Sequence, residues 1–176
     1  MKKIHLILIT TLLCFAFITA CGKGESEIKP GGAETKAESK IGSVTLKDSR
    51  TPITAAKFEE FAKQSGYEIY TIALENGASV VAKNSDETLE FQFSEFADHN
   101  AATDTHEYLV SISNIEKPST VTGENYEIVY GTGCFADDIV KYKVYTRIEN
   151  TSLNASSTKD NQKEADEFLT LIGYNK

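Results

Sequence analysis

The first 21 residues limit how much of this chain can contribute to a folded domain. Two lysines precede an almost uninterrupted apolar run from Ile4 to Phe17, which small residues and Cys21 follow. A positive segment, an apolar segment and a small-residue cleavage site form the layout of an export signal. The apolar run is shorter than the ~20 residues that a membrane-spanning helix needs. The sequence therefore predicts a signal peptide over residues 1–20 that the mature chain lacks.

The segment Ile18-Thr19-Ala20-Cys21 resembles the lipobox of bacterial lipoproteins at every position. The resemblance implies that the Cys21 thiol carries a diacylglyceryl group and that this residue becomes the mature N-terminus. Two acyl chains provide the double hydrophobic signal that stable anchoring requires. The mature chain is then expected at the extracytoplasmic face of the cell membrane, held by lipid without spanning it. The alternative is an ordinary secretory peptide in which Cys21 is incidental.

Residues 21–49 are rich in Gly, Ser, Glu, Lys and Ala and contain almost no large apolar side chains. Such a segment cannot bury enough apolar area to offset the entropy lost on ordering, so a disordered tether is predicted. Residues 50–176 are long enough for one folded domain with its own core.

The mature chain is strongly acidic. Removal of the leader takes two of the 18 basic residues and no acidic residue, which leaves 16 basic against 26 acidic side chains and a charge of −10. Such a charge repels nucleic acid and anionic lipid surfaces, so a nucleic-acid partner is not expected.

Three helices are predicted from capping residues and apolar spacing. The first follows Thr54, a favourable N-cap, carries Phe58 toward the core and ends at Gly66. The second is capped by Asp98, and the third runs from about residue 158 to residue 172. The expected apolar stripes are Ala101, Thr105, Tyr108, Leu109 and Ile112 for the second helix, and Ala165, Phe168, Leu169 and Ile172 for the third.

About six short strands are predicted between these helices. Asn76-Gly77 between two β-prone runs is the strongest hairpin signal in the chain. Phe91 and Phe93 alternate with polar residues, which is typical of a strand with one buried face. Residues 117–125 are expected to form a loop between the two halves. The predicted strands are 67–73, 79–83, 89–94, 126–130, 139–148 and about 151–155.

This order of elements predicts an α+β fold. One antiparallel sheet of about six strands would pack on one face against about three helices, and its other face would be partly solvated. The spacing of Phe61 from Gly66-Tyr67 recurs between Phe168 and Gly173-Tyr174, which would suit a duplicated α-βββ unit. Gly-terminated helices followed by an aromatic residue are also common, so the recurring spacing alone does not establish duplication.

The body of the chain is similar to a group of small, uncharacterised lipoproteins of Gram-positive-type bacteria. The resemblance rests on Thr54, Phe58 and Gly66-Tyr67 at the start, and on Leu89-Glu90-Phe91-Gln92-Phe93 in the middle. Arg147-Ile148-Glu149-Asn150-Thr151 and the closing Gly173-Tyr174 complete it. These are packing and turn residues, so the resemblance implies no activity and assigns no catalytic residue.

No catalytic or metal-binding constellation emerges from the sequence. His99 and His106 are seven residues apart, about 10 Å of helical rise, whereas a helical zinc pair uses a four-residue spacing. Both are expected to face solvent. Gly131-Thr132-Gly133 lacks the lysine of a phosphate-binding loop and is interpreted as a turn or bulge. Cys134 is the one thiol of the predicted domain, and a structural role is favoured over a reactive one.

Tyrosine is enriched, with eight residues that all lie beyond the leader and tether. Tyrosine supplies large amphipathic contact area at binding surfaces and is also a good strand former. Tyr130, Tyr145 and Arg147 would form a recognition patch if they shared an exposed sheet face.

Two classes of function follow from these observations. The first is a non-enzymatic, membrane-tethered domain that interacts with an envelope protein, peptide or glycan and needs no cofactor. The second is a small-molecule-binding or thiol-dependent enzymatic domain with a pocket between sheet and helices. An exposed apolar patch would favour the first class, and a deep cavity with convergent polar groups would favour the second.

Overall fold

The computed structural model describes the backbone of residues 43–45, 48–134 and 140–176, and their side chains except those of residues 43–45 and Cys134. The signal peptide and Cys21 fall outside these residues. The described helices are α1 (Ala55–Gln64), α2 (His99–Ser111) and α3 (Gln162–Leu171). The described strands are β1 (Ser43–Thr45), β2 (Glu68–Leu74), β3 (Gly77–Lys83), β4 (Leu89–Phe96), β5 (Ile115–Thr122), β6 (Tyr126–Cys134), β7 (Val140–Ile148) and β8 (Thr151–Ser157).

All eight strands belong to one sheet, in the order β1-β5-β6-β7-β8-β4-β3-β2. Strands β2 to β8 pair antiparallel with their neighbours, and the short β1 pairs parallel with β5 at one edge. Because β8 lies between β4 and β7, the last strand of the chain joins the two halves of the sheet. The predicted α+β class is confirmed, with seven antiparallel strands in place of about six.

Strand β5 was not predicted from the sequence. It occupies most of residues 117–125, which were predicted to be a loop. Its register with β6 shifts between Glu116 and Ser119, and Lys117 has φ of 55°. This β-bulge accommodates Pro118, which has no N–H for a regular ladder. The proline therefore interrupts the strand pattern in the sequence without ending the strand.

Strand β1 lies inside the segment predicted to be a disordered tether. Its Val44 and Thr45 are β-branched, a residue type that favours strands, and they pair with Val121 and Thr122 of β5. A little further on, the hydroxyl of Tyr126 donates a hydrogen bond of 2.9 Å to Asp48 Oδ1. Ordered contacts with the domain therefore begin before residue 50.

The two halves of the chain are not identical units. Three strands follow α1 and four strands follow α2, so the second half differs from the α-βββ pattern expected for a duplication. The echoed helix ends do share one structure. Gly66 and Gly173 have positive φ of 83° and 78°, and the following Tyr67 and Tyr174 donate backbone bonds to Ala62 and Leu169. Both are αL helix stops of the kind that glycine favours.

The hydrophobic core lies between one face of the sheet and the helices α1 and α3. The Phe58 ring of α1 stacks on Phe93 of β4 at 4.9 Å, and Phe168 of α3 lies 4.6 Å from Phe91. Tyr174, fully buried, packs edge-on against Phe93 at 5.6 Å. The alternation predicted for β4 is therefore confirmed, because Phe91 and Phe93 point into this aromatic core.

Helix α2 packs on the opposite face of the sheet, where it contacts β4, β7 and β8. Its buried residues are Ala102 and His106, whereas Tyr108 and Ile112 of the predicted stripe are 58% and 52% exposed. The prediction that all helices cover one face, and that His106 faces solvent, is wrong. The physical reason is that this sheet face is polar, so the helix turns a histidine and small residues toward it.

Candidate functional site

The sheet face beneath α2 is lined by polar side chains from three central strands. Strand β7 alternates, and because Val144 and Ile148 enter the hydrophobic core, Lys143, Tyr145 and Arg147 point the other way. The cross-strand register aligns those residues with polar side chains of β6 and β8. Together with His106 of α2 they form what we call the polar cluster: Glu127, Lys143, Tyr145, Arg147, Ser152, Asn154 and Ser156.

His106 and Glu127 connect the helix to the sheet within this cluster. The His106 Nε2 atom lies 3.4 Å from Glu127 Oε2, and His106 is only 2% exposed. When the imidazole is protonated, the contact is an ion pair. The interaction with His106 lowers the pKa of Glu127 below its usual range, the charge of nearby Arg147 adds to this, and partial burial opposes both. Glu127 is therefore held as a carboxylate at neutral pH.

Lys143 is the most unusual cation of the polar cluster because it is only 5% exposed. Its Nζ donates hydrogen bonds to the backbone oxygen of Ser113 at 3.3 Å and to the hydroxyl of Tyr145 at 3.2 Å. Burial, with a smaller contribution from the charge of Lys141, lowers the pKa of Lys143 to about 8. Burial also raises the pKa of Tyr145 to about 12, so this phenol stays protonated near neutral pH.

Several buried polar atoms of the cluster have no hydrogen-bond partner among the described residues. They include Nε and Nη1 of Arg147, Nδ1 of His106, Oδ1 of Asn154 and Oγ of Ser156. Buried polar atoms without a partner are costly, so a water or small ligand that bonds to these atoms would stabilise the cluster. The unpaired guanidinium N–H groups are suited to an anion, because guanidinium donors match carboxylate and phosphate oxygens.

A second feature of the same side of the molecule is a set of exposed apolar side chains. Tyr70 and Ile72 of β2 are 51% and 48% exposed. Their register through Val81 and Ser79 of β3 places them on the sheet face that α2 covers further along. Tyr70, Val81 and Tyr145 lie in one row across the paired strands. Their side chains become less exposed along this row: Tyr70 in β2 is exposed, Val81 in β3 is half-buried, and Tyr145 beneath α2 is buried.

Tyr108 of α2 and Ile112, the residue that caps the C-terminus of this helix, contribute further apolar area. They are four residues apart and therefore lie on one side of the helix, away from Ala102 and His106. We define the open apolar surface as Tyr70, Ile72, Tyr108 and Ile112. All four side chains are about half exposed or more.

The residues predicted to form a recognition patch do not lie together. Tyr130 is paired with Val144, so it lies on the core face, where it packs against the core cluster. Tyr145 and Arg147 lie on the opposite face, and Tyr145 is only 3% exposed because α2 covers this region. The prediction that Tyr130, Tyr145 and Arg147 share an exposed face is wrong, since strand alternation separates the first from the other two.

The other sequence-based candidates have ordinary environments where the structure describes them. His99 is exposed, and its Nδ1 lies 3.1 Å from the backbone oxygen of Glu149. Among the described residues no group of three or more His, Cys, Asp or Glu side chains could hold a metal ion. A Cβ on Gly133 would lie 2.8 Å from the Asn114 backbone oxygen, so this glycine permits close chain approach inside β6.

The polar cluster and the exposed face of β2 were not predicted from the sequence. The sequence signal was the alternation of β7, which places Lys143, Tyr145 and Arg147 on one side of the strand. This side was predicted to be solvated. A buried strand side of this kind needs a polar cover, and a helix that turns Ala102 and His106 toward the sheet supplies it. That combination predicts the cluster only once the strand order is known.

Comparison of the chain with protein-family models, curated proteins and solved structures finds no match. Within the part of the chain that the structure describes, no helix has the length and apolarity needed to cross a membrane.

Proposed function

We propose that this chain is a lipid-anchored extracytoplasmic lipoprotein whose folded domain binds an envelope protein or peptide through the open apolar surface. The anchor is the diacylglyceryl group implied at Cys21 by the lipobox resemblance. The observation that carries the binding function is the exposure of Tyr70 and Ile72 on the sheet face that also carries α2, together with that of Tyr108 and Ile112 at the helix. Enzymatic activity is not part of the proposal.

The exposed aromatic and branched side chains support a protein or peptide partner. Single exposed apolar residues are ordinary, but a group that includes two tyrosines has the composition of an interface centre. Tyrosine is among the residues that dominate binding energy in alanine scans. The charge of −10 for the mature chain disfavours nucleic acid and anionic lipid as alternatives.

The anchor and the binding surface are tested separately. Cys21→Ala is expected to abolish incorporation of a labelled fatty acid and to release the chain from the membrane fraction. Unchanged labelling and fractionation would exclude the lipid anchor. Cys134→Ser serves as the matched control, since its thiol lies beyond the lipobox and its replacement should leave labelling intact.

The binding surface is tested by photo-cross-linking in intact cells. A cross-linking amino acid at position 70 should give discrete products that Tyr108→Ser and Ile112→Ser weaken. The control is position 163, because the Lys163 side chain is 88% exposed on α3 and lies outside the open apolar surface. Equal products from positions 70 and 163 would contradict the assignment of the surface.

A second candidate function rests on the polar cluster. The buried, unpartnered Nε and Nη1 of Arg147, together with buried Lys143, favour a small anion such as a carboxylate or phosphate. Inorganic phosphate should then raise the unfolding temperature of the wild-type chain but not of Arg147→Gln. An equal effect on both chains would exclude this site. The thiol-dependent alternative depends on Cys134, whose side chain lies outside the described residues.

A further inference from the structure

The two edges of the sheet differ in how well they are protected from additional strands. At the β5 side, β1 covers residues 120–122, and a bulge with Pro118 disrupts the remaining part. At the other side, β2 runs for seven residues in unbroken register with β3. Its sequence from Glu68 to Leu74 contains no proline or lysine, and none of the described residues pairs with its outer edge. Natural sheets normally block such an edge.

The ladder pattern shows which backbone groups of β2 point outward. The Ala97 N–H donates to the Asn76 carbonyl, which fixes the hydrogen-bonded pairs between β3 and β4. By alternation, Tyr70 and Ile72 exchange bonds with β3, and the residues between them do not. The outward-pointing N–H and C=O groups are therefore those of Ile69, Thr71 and Ala73.

We infer that β2 pairs antiparallel with β2 of a second copy of this chain, around a two-fold axis at Thr71. In this register Thr71 faces Thr71 of the second copy, and Ile69 faces Ala73 of the second copy. The pairs use all the outward groups of these residues and form about six backbone hydrogen bonds. The inference goes beyond the proposed function, since it concerns self-association and not the envelope partner.

The side chains favour a second copy as the occupant of this edge. The symmetric register sets Tyr70 beside Ile72 of the second copy, and aromatic with β-branched pairs stabilise antiparallel strands. Both side chains are about half exposed in the single chain, so pairing would bury the side of each that faces the second copy and leave the sheet face open. The one charged residue of the strand, Glu68, faces Leu74 of the second copy, so no like charges oppose each other despite the acidic chain.

The symmetry also has a consequence for the open apolar surface. A two-fold axis perpendicular to the sheet keeps equivalent faces on the same side. The dimer would therefore carry two α2 helices on one side of a continuous sheet. Tyr70 and Ile72 of both copies would form the floor between those helices.

The test uses the two-fold symmetry, which places residue 71 of one copy opposite residue 71 of the second copy. Full-length chains with two different tags are co-expressed, solubilised in detergent and purified through one tag. Wild-type copies and Thr71→Val copies should co-purify. Thr71→Lys paired with itself and Thr71→Glu paired with itself should lose co-purification, because like charges directly opposite each other repel. Thr71→Lys with Thr71→Glu should restore it.

Position 71 is exposed, so these substitutions leave the described core contacts unchanged. Recovery of the mixed pair also shows that both variant chains fold. Absence of co-purification for wild-type copies would overturn the inference. Co-purification of Thr71→Lys with itself at the wild-type level would overturn it as well. Products from position 70 that contain a second copy of this chain would report the β2 pairing, and products that contain a different protein would report the proposed function, so identification of the cross-linked partner distinguishes the two.

Discussion

His106 of α2 and Glu127 of β6 are joined at 3.4 Å across the interface between the helix and the polar face of the sheet. This contact contributes strongly to the attachment of α2 to the sheet, because only Ala102 and His106 of the helix are buried. A helix attached through polar side chains responds to pH and to substitution differently from one attached through an apolar stripe.

Glu127→Gln should lower the free energy of unfolding at pH 7 by about 1 kcal/mol, since the partly exposed carboxylate interacts with His106 and Arg147. The lowered pKa of Glu127 means that its stabilisation is present above the unfolded-state value of about 4.3. It is lost as pH falls through the folded-state value. Urea unfolding of both chains at pH 7 and at acid pH measures this, and a pH-independent difference would contradict it.

Lys143→Met should change how stability varies at alkaline pH. The pKa of Lys143 is lowered to about 8 in the folded chain, against about 10.4 when unfolded. Between these values the unfolded state binds the extra proton, so the wild-type chain gains stability as pH rises from about 8 toward 10. Lys143→Met should lack this gain when unfolding is followed across that window. Parallel curves for the two chains would contradict the assignment.

Stability should fall again above about pH 10, because burial raises the pKa values of Tyr145 and Tyr174 to about 12. A phenol whose folded-state pKa is raised stabilises the fold only while the unfolded phenol is still protonated. Absorbance titration of the folded chain should show Tyr145 and Tyr174 ionising well above the value of about 10 that is usual for a phenol. Ionisation of all tyrosines near pH 10 would contradict their burial.

Tyr174→Phe should cost about 1 kcal/mol of unfolding free energy, because it removes a buried hydrogen bond of 2.7 Å between Tyr174 Oη and Thr151 Oγ1. The matched control is Tyr70→Phe, whose hydroxyl makes only an exposed contact of 3.2 Å with Glu68. That change should stay within about 0.5 kcal/mol. Denaturant unfolding measures the loss of unfolding free energy for both variants. Equal losses would contradict the expected contribution of the buried Tyr174 hydroxyl.

Gly77→Ala should destabilise the fold more than Gly66→Ala does. A Cβ at Gly77 would lie 2.1 Å from the backbone oxygen of Glu95, and the backbone has little room to move, so a loss of about 3 kcal/mol is expected. Gly66 has open space around its Cβ position but a positive φ of 83°, which costs about 1 kcal/mol. Thermal unfolding measures both, and the reverse order would be inconsistent with the hairpin packing.

The elements with strong local signals were predictable from the sequence. The Thr54 side chain caps α1 by accepting from the Lys57 N–H at 3.2 Å, and Asp98 caps α2 by accepting from Ala101 N–H at 2.9 Å. Gly66 ends α1 as expected. Capping and αL termination depend on a few adjacent residues, so sequence alone specifies them.

The elements that depend on distant partners were not predictable to the same degree. Strand β5 was missed because its bulge at Pro118 makes sense only beside β6. The predicted orientation of α2 was wrong because the helix covers a sheet face made polar by Glu127, Lys143 and Arg147. These residues come after the helix in the chain. The candidate recognition patch failed for a related reason, since the register that separates Tyr130 from Tyr145 is a property of the paired strands.

Because β8 lies in the middle of the sheet, the sheet cannot close until residues 151–157 have been synthesised. Phe93 of β4 meets Leu153 of β8, so strands β2 to β4 and strands β5 to β7 remain separate ribbons until residues 151–157 are available. Each ribbon then has an inner boundary as unprotected as the outer edge of β2. A chaperone that holds the chain extended until residues 151–157 emerge would prevent these boundaries from pairing with the wrong strand.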